Sequence, residues 1–266
     1  MLEKLKNLEK RLTEFSSFAL AFSGGADSAL LLAVLKKIKP KQLTAITISS
    51  QFVSQSEIDY AKKIADLTGV RHLCLNVDIL KNENIICNTL ERCYFCKIQI
   101  FSLIKDTAKK YGIKTLVHGV NLDDLKDFRP GLKAAEELAF ISPLADSGFS
   151  KKDIRILSKQ MGLKTWDKPS QSCLATRIAY GDRITIEKLG RVEEAENLLK
   201  ESGFSHIRVR CLGKTARIEV DPGEIEKILG NNIRIDILKK FVKLGFEHTS
   251  IDIEGYKNIS PLVCKQ

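Results

Sequence analysis

The residues best suited to chemistry form a short loop, Ser23-Gly-Gly-Ala-Asp-Ser28, which follows an apolar run and precedes a helical pattern. Glycines let backbone N–H groups approach a phosphate closely, and the start of a helix adds the positive end of its dipole. Ser23 and Ser28 add hydroxyl donors. The loop lacks the Gly-Lys-Ser/Thr of a Walker A motif and the Gly-x-Gly-x-x-Gly of a dinucleotide fold. It therefore predicts a phosphate site of another type, with a serine-capped turn as the alternative.

Three of the seven cysteines are candidates for a metal or sulfur site. Cys93 and Cys96 would place both sulfurs on one face of a helix. The pair fits a redox couple, half of a zinc site or two buried thiols, and no histidine has a telling position for a fourth zinc ligand. Cys173 lies far along the chain, and the nearby Lys168 and Arg177 favour a reactive thiol over an inert loop residue. Three thiolates without a fourth ligand fit an iron–sulfur cluster with one open iron.

The elements that must position these residues follow from the hydrophobic pattern. Apolar runs at 18–22, 43–49, 72–77 and 115–120 alternate with helical patterns, the longest of them at about 88–111. This alternation predicts an α/β fold with a parallel, doubly wound sheet covered on both faces. Beyond residue 166 the pattern changes to an extended loop, a helix at 185–202, a hairpin of strands and a last strand. The sequence therefore predicts two domains, 1–168 and a smaller α+β domain at 169–266.

Composition limits the classes of function. The chain has 266 residues and a net charge of +10, which favours an anionic partner such as a nucleotide, a phosphorylated small molecule or RNA. No window of about 18 apolar residues predicts a membrane span, and the first residues lack the apolar core of a secretion signal. Seven cysteines without such a signal predict thiols in a reducing compartment, and therefore a cytoplasmic protein.

The hexapeptide at 23–28 resembles the pyrophosphatase-type loop (PP-loop) of ATP-dependent adenylating enzymes. The resemblance implies that the first domain binds ATP and cleaves it between the α- and β-phosphates, while Asp27 helps to place Mg²⁺. Catalysis would then rest on electrostatic stabilisation of the departing pyrophosphate. The residues expected to bind ATP are Ser23, Gly24, Gly25, Asp27, Ser28, Gly119, Asp124 and Arg129.

The whole chain also resembles the LarE-type ATP-dependent sulfur transferases. The residues that carry this resemblance are those at 23–28 and 124–133, Ser172, Cys173, Arg177, Tyr180, Gly181, Glu196, Arg208 and Arg210. The family acts in assembly of the nickel-pincer nucleotide cofactor of lactate racemase. The resemblance implies adenylation of a carboxylate on a small nucleotide-like substrate, a pyridinium dicarboxylic mononucleotide, and replacement of the adenylated oxygen by sulfur.

The family has two versions of sulfur delivery. In one, a lone cysteine at the position of Cys173 gives up its own sulfur. In the other, that cysteine and two more, matching Cys93 and Cys96, hold a [4Fe–4S] cluster whose open iron carries sulfide from an exogenous donor. Since this sequence has all three cysteines, the cluster version is predicted, and sacrifice of Cys173 is the alternative.

The resemblance also assigns residues in the second domain. Arg177, Arg208 and Arg210 are expected to bind phosphate or carboxylate of the substrate, and the alternation of Arg208 and Arg210 on a strand gives them the same face. Glu196 matches an acidic position near substrate or metal. Lys227 stands where the family has an acidic residue, which puts carboxylate-assisted metal binding in this domain in doubt.

Two other functions remain as alternatives. A tRNA thiolase of the same loop group would use the positive charge for RNA, but the sequence shows no dedicated RNA module, so nucleic acid is not the expected partner. An ATP-regulated module that stores a metal or cluster would need no sulfur-transfer chemistry. By the resemblance to the family, the protein is also expected to form a homo-oligomer.

Overall fold

The computed structural model describes residues 1–126 and 130–257. These residues divide into two compact units. The first combines Met1–Ile79 with Glu91–Gln171, and the second combines Leu80–Leu90 with the described part of Ser172–Gln266. Residues 80–90, which the sequence assigned to the first domain, thus group with the second unit.

Five parallel strands form the sheet of the first unit, in the order β3-β2-β1-β4-β5. They are β1 (Ser17–Ala21), β2 (Gln42–Ser49), β3 (Arg71–Asn76), β4 (Thr115–His118) and β5 (Phe140–Ile141). This sheet confirms the predicted α/β class. The sequence analysis did not identify β5, because a strand of two residues is too short to show an alternating pattern.

Helices cover both faces of this sheet. Along β1, the side chains of Phe18 and Leu20 belong to one apolar cluster and that of Ala19 to another, because successive strand residues point to opposite faces. In chain order the helices are α1 (Leu2–Thr13), α2 (Ala26–Lys37), α3 (Gln55–Thr68), α4 (Glu83–Ile86, in the second unit), α5 (Arg92–Lys110), α6 (Pro130–Glu137), α7 (Pro143–Asp146) and α8 (Lys151–Gln160). Helices α1, α2, α3, α7 and α8 pack into the first cluster, and α5 and α6 pack into the second.

The strand order fixes where a ligand can enter the first unit. The chain runs outward from β1 through β2 to β3, and then returns to the other side of β1 as β4 and β5. The loops that follow β1 and β4 therefore leave in opposite directions at the carboxyl edge of the sheet. Such a switch point opens a crevice, which is where open α/β sheets bind their ligands.

The second unit contains a mixed three-stranded sheet in the order β6-β7-β8. The strands β6 (Ile207–Leu212) and β7 (Thr215–Val220) form the predicted hairpin, and β8 (His248–Ile251) adds parallel to β7. Besides α4, the helices of this unit are α9 (Ile186–Glu201), α10 (Ile225–Leu229) and α11 (Asn231–Lys243). Among the helices of residues 1–126 and 130–257, none is long and apolar enough to cross a membrane.

Asn88 anchors the segment at 80–90 to the rest of the second unit, together with a hydrogen bond from Ile184 N–H to the carbonyl of Ile86 and the ion pair of Arg183 with Glu83. Asn88 is fully buried and has a left-handed backbone, with φ of 54°. Its side-chain amide donates to the carbonyls of Ala179 at 2.7 Å and Asp182 at 3.1 Å, and its own carbonyl accepts from Gly181 N–H. The predicted helix at 88–111 therefore begins only at Arg92.

Candidate active site

The loop between β1 and α2 leaves the start of the helix open to an anion. Gly25 is the N-cap residue of α2, and no side chain caps the first N–H groups of this helix. These N–H groups can therefore bind an external acceptor. The buried hydroxyl of Ser28 donates to the carbonyl of Gly25 at 3.2 Å and lies 3.2 Å from the hydroxyl of Ser23. Ser28 thus braces the loop from inside, whereas Ser23 is exposed.

Two glycines allow the close packing that shapes the loop. Gly24 has a φ of +70°, and a Cβ there would lie 2.8 Å from the Cα of Ala61 on α3. Gly119 follows β4, and a Cβ there would lie 2.9 Å from the backbone nitrogen of Ser28. The loops after β1 and β4 therefore touch at the switch point, and the structure brings Gly119 to the predicted loop.

Asn121 joins the two acidic residues of the site. Its buried side chain donates from Nδ2 to Asp27 Oδ2 at 3.1 Å, and its Oδ1 accepts from Asp124 N–H at 3.2 Å. Its backbone N–H donates to Asp124 Oδ2, also at 3.2 Å. The carboxylates of Asp27 and Asp124 are thus held on one fully buried residue, at the carboxyl edge of β1 and β4.

Charges around these carboxylates come from α8. Lys151 Nζ lies 3.1 Å from Asp124 Oδ1. Burial and, second, the charge of Asp124 raise the pKa of Asp27 to about 6, while the amide of Asn121 and the charges of Lys151 and Arg155 act in the opposite direction. Two neighbouring carboxylates beside open helix N–H groups can hold a divalent cation together with phosphate oxygens.

The structure thus brings together Ser23, Gly24, Gly25, Asp27, Ser28, Gly119 and Asp124 from the predicted ATP site. Arg129 lies outside the described residues. Asn121 and Lys151 were missed by the sequence analysis. A polar residue three positions after a buried strand was a signal for Asn121, whereas Lys151 looked like an ordinary surface lysine at a helix start.

The cysteines of the predicted metal site are divided between the units. Cys93 and Cys96 lie one turn apart at the start of α5 and are half-buried, and the guanidinium of the buried Arg92 lies 3.7 Å from Cys93 Sγ. Cys173, also half-buried, precedes a short 3₁₀ helix of the second unit. Within residues 1–126 and 130–257, no group of three or more His, Cys, Asp and Glu is placed to hold a metal ion.

In the second unit, Arg177 and Glu196 form a buried ion pair. Arg177 Nε donates to Glu196 Oε1 at 2.7 Å, and Nη2 donates to Oε2 at 3.1 Å. Burial alone lowers the pKa of Arg177, but the Glu196 carboxylate outweighs it and the pKa ends above its ordinary value. Nη1 also donates to the Ser172 hydroxyl at 2.6 Å. Since Glu196 Oε1 also accepts from Val209 N–H, this carboxylate orients Arg177.

Arg208 and Arg210 lie on the same face of β6, as predicted, and both approach Glu219 on β7. Arg210 Nε donates to Glu219 Oε1 at 2.7 Å, and Arg208 Nη1 lies 3.7 Å from Oε2. Burial and, second, the charge of Arg210 lower the pKa of Arg208. Within the described residues, the buried Nε of Arg208 has no hydrogen-bond partner. Three buried arginines thus face two buried carboxylates, which leaves one positive charge in excess.

Comparison with known proteins places the chain in a family. Residues 5–92 match the asparagine synthase family. The chain is 31% identical over 256 residues to the pyridinium-3,5-bisthiocarboxylic acid mononucleotide synthase of Lactiplantibacillus plantarum, across 96% of this chain and 92% of that protein. The chain belongs to the LarE-type family.

Other relatives extend over the same length. An uncharacterized protein of Synechocystis is 37% identical, across 97% of both chains, and one of Methanocaldococcus jannaschii is 35% identical, across 96% of both. The LarE-type assignment confirms the predicted family and makes the chain an ATP-using sulfur-transfer enzyme with a PP-loop fold.

Proposed function

We propose that the protein is a sulfur insertase that adenylates a carboxylate of a pyridinium dicarboxylic mononucleotide and replaces the carboxylate oxygen with sulfur, in biosynthesis of the nickel-pincer nucleotide cofactor. The observation that carries this proposal is the full-length relationship to a synthase named for the corresponding bisthiocarboxylic acid. An open PP-loop beside two acidic residues supports the ATP-dependent half of the reaction.

In the first step, a carboxylate oxygen of the substrate attacks the α-phosphorus of ATP, and the bond to pyrophosphate breaks. The open N–H groups at the start of α2 bind the departing pyrophosphate. Asp27 and Asp124 would hold Mg²⁺, which when bound would neutralise charge on the phosphates. In the second step, a sulfur nucleophile attacks the carbonyl carbon, and AMP leaves with its electron pair on oxygen.

Binding of the substrate falls to the arginines of the second unit. Arg177 and Arg210 are satisfied by Glu196 and Glu219, whereas Arg208 retains a donor without a partner among the described residues. The excess positive charge among these buried groups favours a phosphate or carboxylate, because guanidinium groups donate to both. We assign this anion-binding role first to Arg208, with Arg210 and Arg177 beside it and oriented by Glu219 and Glu196.

We further propose that Cys93, Cys96 and Cys173 ligate one [4Fe–4S] cluster. The positions of Cys93 and Cys96, one helical turn apart and half-buried, suit two thiolate ligands of one centre. When bound, the cluster would supply an open iron that carries exogenous sulfide. Cys173 would supply the third thiolate, from the second unit. The residue before it, Ser172, accepts hydrogen bonds from Arg177 Nη1 at its carbonyl and its hydroxyl, which holds the backbone beside Cys173 in place.

The test is anaerobic reconstitution with iron and sulfide, followed by mass analysis of the product from the dicarboxylate mononucleotide and ATP. We expect cluster absorbance, pyrophosphate, AMP and a thiocarboxylate product over many turnovers. Cys93→Ala with Cys96→Ala should abolish cluster and product, whereas Cys87→Ser, at an exposed thiol, should keep both. One turnover with loss of H₂S from Cys173 would replace the cluster by the sacrificial route, and sulfur in tRNA instead of the mononucleotide would overturn the proposed substrate.

A further inference from the structure

Tyr256 follows the last strand of the second unit and is held in place by a tight turn. The residue before it, Gly255, has a φ of +69°, and a Cβ there would lie 2.7 Å from the carbonyl oxygen of Val220 on β7. The backbone N–H of Tyr256 donates to this same carbonyl at 2.6 Å. Since only glycine fits such a close approach with a left-handed backbone, Gly255 allows Tyr256 to return to the sheet and fixes its position there.

The side chain of Tyr256 contacts the guanidinium group of Arg208. Arg208 Cζ lies 4.8 Å from the centre of the Tyr256 ring, which is a cation–π contact. Arg208 Nη2 donates to Tyr256 Oη at 3.3 Å and to the hydroxyl of Ser172, also at 3.3 Å. Arg208 Nη1 donates to the carbonyl of Lys257 at 3.3 Å. The hydrogen bonds of this guanidinium group thus go to neutral oxygens, and all three are long.

The two neighbouring arginines have much stronger partners. Arg177 and Arg210 each have a carboxylate oxygen at 2.7 Å, whereas Arg208 Nη1 lies 3.7 Å from Glu219 Oε2. Charge-assisted hydrogen bonds are usually about 2.7–2.9 Å long. Arg208 is only 5% exposed, and its Nε has no hydrogen-bond partner within the described residues. Arg208 is therefore a buried cation to which the described part of the second unit offers no close anion.

The hydroxyls of Tyr256 and Ser172 can serve an anion as well as the arginine. A hydroxyl both accepts and donates hydrogen bonds, whereas a guanidinium group only donates. Both hydroxyl oxygens therefore accept from Arg208, and an oxyanion that binds Arg208 Nη2 meets both hydroxyls. Donors from three side chains suit a tetrahedral phosphate with three terminal oxygens, whereas a planar carboxylate is satisfied by one edge of a guanidinium group.

We propose that Tyr256 is a further substrate-binding residue, whose hydroxyl donates a hydrogen bond to the phosphate group of the mononucleotide while that group binds Arg208. When the phosphate binds, the Tyr256 hydroxyl changes from acceptor to donor, and its ring stays against the guanidinium group. Tyr256 thereby makes the site selective for phosphate over carboxylate. This inference rests on the mononucleotide substrate of the proposed function, but not on the adenylation step or on the cluster.

The test is calorimetric titration with two probes, nicotinic acid mononucleotide and nicotinic acid riboside, which lacks the phosphate. Saturating α,β-methylene-ATP and Mg²⁺ are present, so that the PP-loop is not available to the probes. For Tyr256→Phe we expect the affinity for the mononucleotide to fall at least about fivefold, because a hydrogen bond to a charged group is lost. The affinity for the riboside should change less than about twofold, because the ring and its contact with Arg208 remain.

The matched control is Tyr111→Phe in the first unit. Tyr111 also has a guanidinium group over its ring, with Arg71 Cζ 4.0 Å from the ring centre. The control therefore removes the same hydroxyl from the same kind of contact, and it should change both affinities less than about twofold. Turnover gives a second readout: Tyr256→Phe should raise the KM for the dicarboxylate mononucleotide and leave the KM for ATP unchanged.

The loss of affinity must follow the phosphate. A tyrosine that only supports the fold would weaken both probes equally and lower the urea midpoint of unfolding, and this result for Tyr256→Phe would overturn the proposal. Unchanged affinity for the mononucleotide would do the same, as would wild-type protein that binds both probes equally well. A wild type that prefers the mononucleotide and loses this preference in Tyr256→Phe, but forms no thiocarboxylate, would contradict the proposed function alone.

Discussion

Glu196 holds Arg177 by both of its carboxylate oxygens, at 2.7 and 3.1 Å, in a part of the second unit where neither side chain is more than 7% exposed. A bidentate pair of this kind fixes the plane of the guanidinium group. It leaves Arg177 Nη1 directed at Ser172, the residue before Cys173. The pair therefore gives the cysteine loop a rigid support.

Glu196→Gln should destabilise the protein strongly. The buried Arg177 would lose its compensating charge, and three buried arginines would face a single carboxylate, which costs about 3–5 kcal/mol of unfolding free energy. Urea unfolding measures this. Glu194→Gln, at an exposed position of the same helix, serves as the control and should change the free energy by less than about 0.5 kcal/mol. A Glu196 variant as stable as that control would show that the pair contributes nothing.

Asp27→Asn should make the protein more stable at pH 8 and less active. Because burial and Asp124 raise the pKa of Asp27 to about 6, the folded protein binds this proton more tightly than the unfolded chain, so ionisation lowers stability as pH rises through 6. Above pH 6 the free energy of unfolding of the variant should exceed that of the wild type by up to about 3 kcal/mol, at about 1.4 kcal/mol per pKa unit. This difference should vanish below about pH 4. Unfolding at several pH values and pyrophosphate release together test this. A gain that is independent of pH would contradict it.

Gly119→Ala should damage ATP binding more than stability. The added methyl would lie 2.9 Å from Ser28 N and 3.1 Å from its Cα, so the loop after β1 must move. We expect ATP affinity to fall at least about tenfold, with a stability loss of about 1–3 kcal/mol typical of overpacking. Gly190→Ala, on α9 with open space around the new methyl, should instead raise stability by about 0.5–1 kcal/mol. Calorimetric titration with ATP measures the affinity of both variants. An unchanged ATP affinity in Gly119→Ala would argue against contact between the loops after β1 and β4.

His118→Gln should reduce the loss of stability that the protein shows as the pH decreases. Burial and, second, the charge of Lys97 lower the pKa of His118 to about 4. Between about pH 6.5 and 4 the unfolded chain therefore binds the proton more readily, and stability falls as pH decreases. The variant loses ring packing against Phe101 and Phe140, so its free energy of unfolding at pH 7 should be lower than that of the wild type. Between pH 7 and pH 4.5, however, its free energy of unfolding should fall by less than that of the wild type. As a control, His248→Gln changes an exposed histidine, and its free energy of unfolding should depend on pH as in the wild type. If His118→Gln shows the same pH dependence as the wild type, His118 is not the source of the acid sensitivity.

Much of the first unit could be predicted from sequence, because its signals are local. Ser23 to Ser28 form a contiguous motif after an apolar run, and parallel strands alternate with helices at regular intervals. The pairing of Arg208 and Arg210 on one strand face followed from period-two alternation. Each of these predictions needed only a short stretch of chain.

The features that sequence reasoning missed depend on distant partners. Asn121 matters because it meets Asp27, which lies 94 residues earlier in the chain. Glu219 faces the arginines only because the hairpin register puts it opposite Arg208. Asn88, placed inside a predicted helix, is left-handed because it donates to carbonyls about 90 residues away. Helical periodicity carries no information about such contacts.

Asn88 also bears on how the gene can be divided. A gene fragment that encodes only residues 172–266 would omit Asn88, whose amide donates to the carbonyls of Ala179 and Asp182. In its product these two carbonyls would lose that hydrogen-bond donor. The second unit is therefore not a contiguous cassette that recombination could transplant intact. The second unit needs residues 80–90, and these are encoded between the two segments of the first unit.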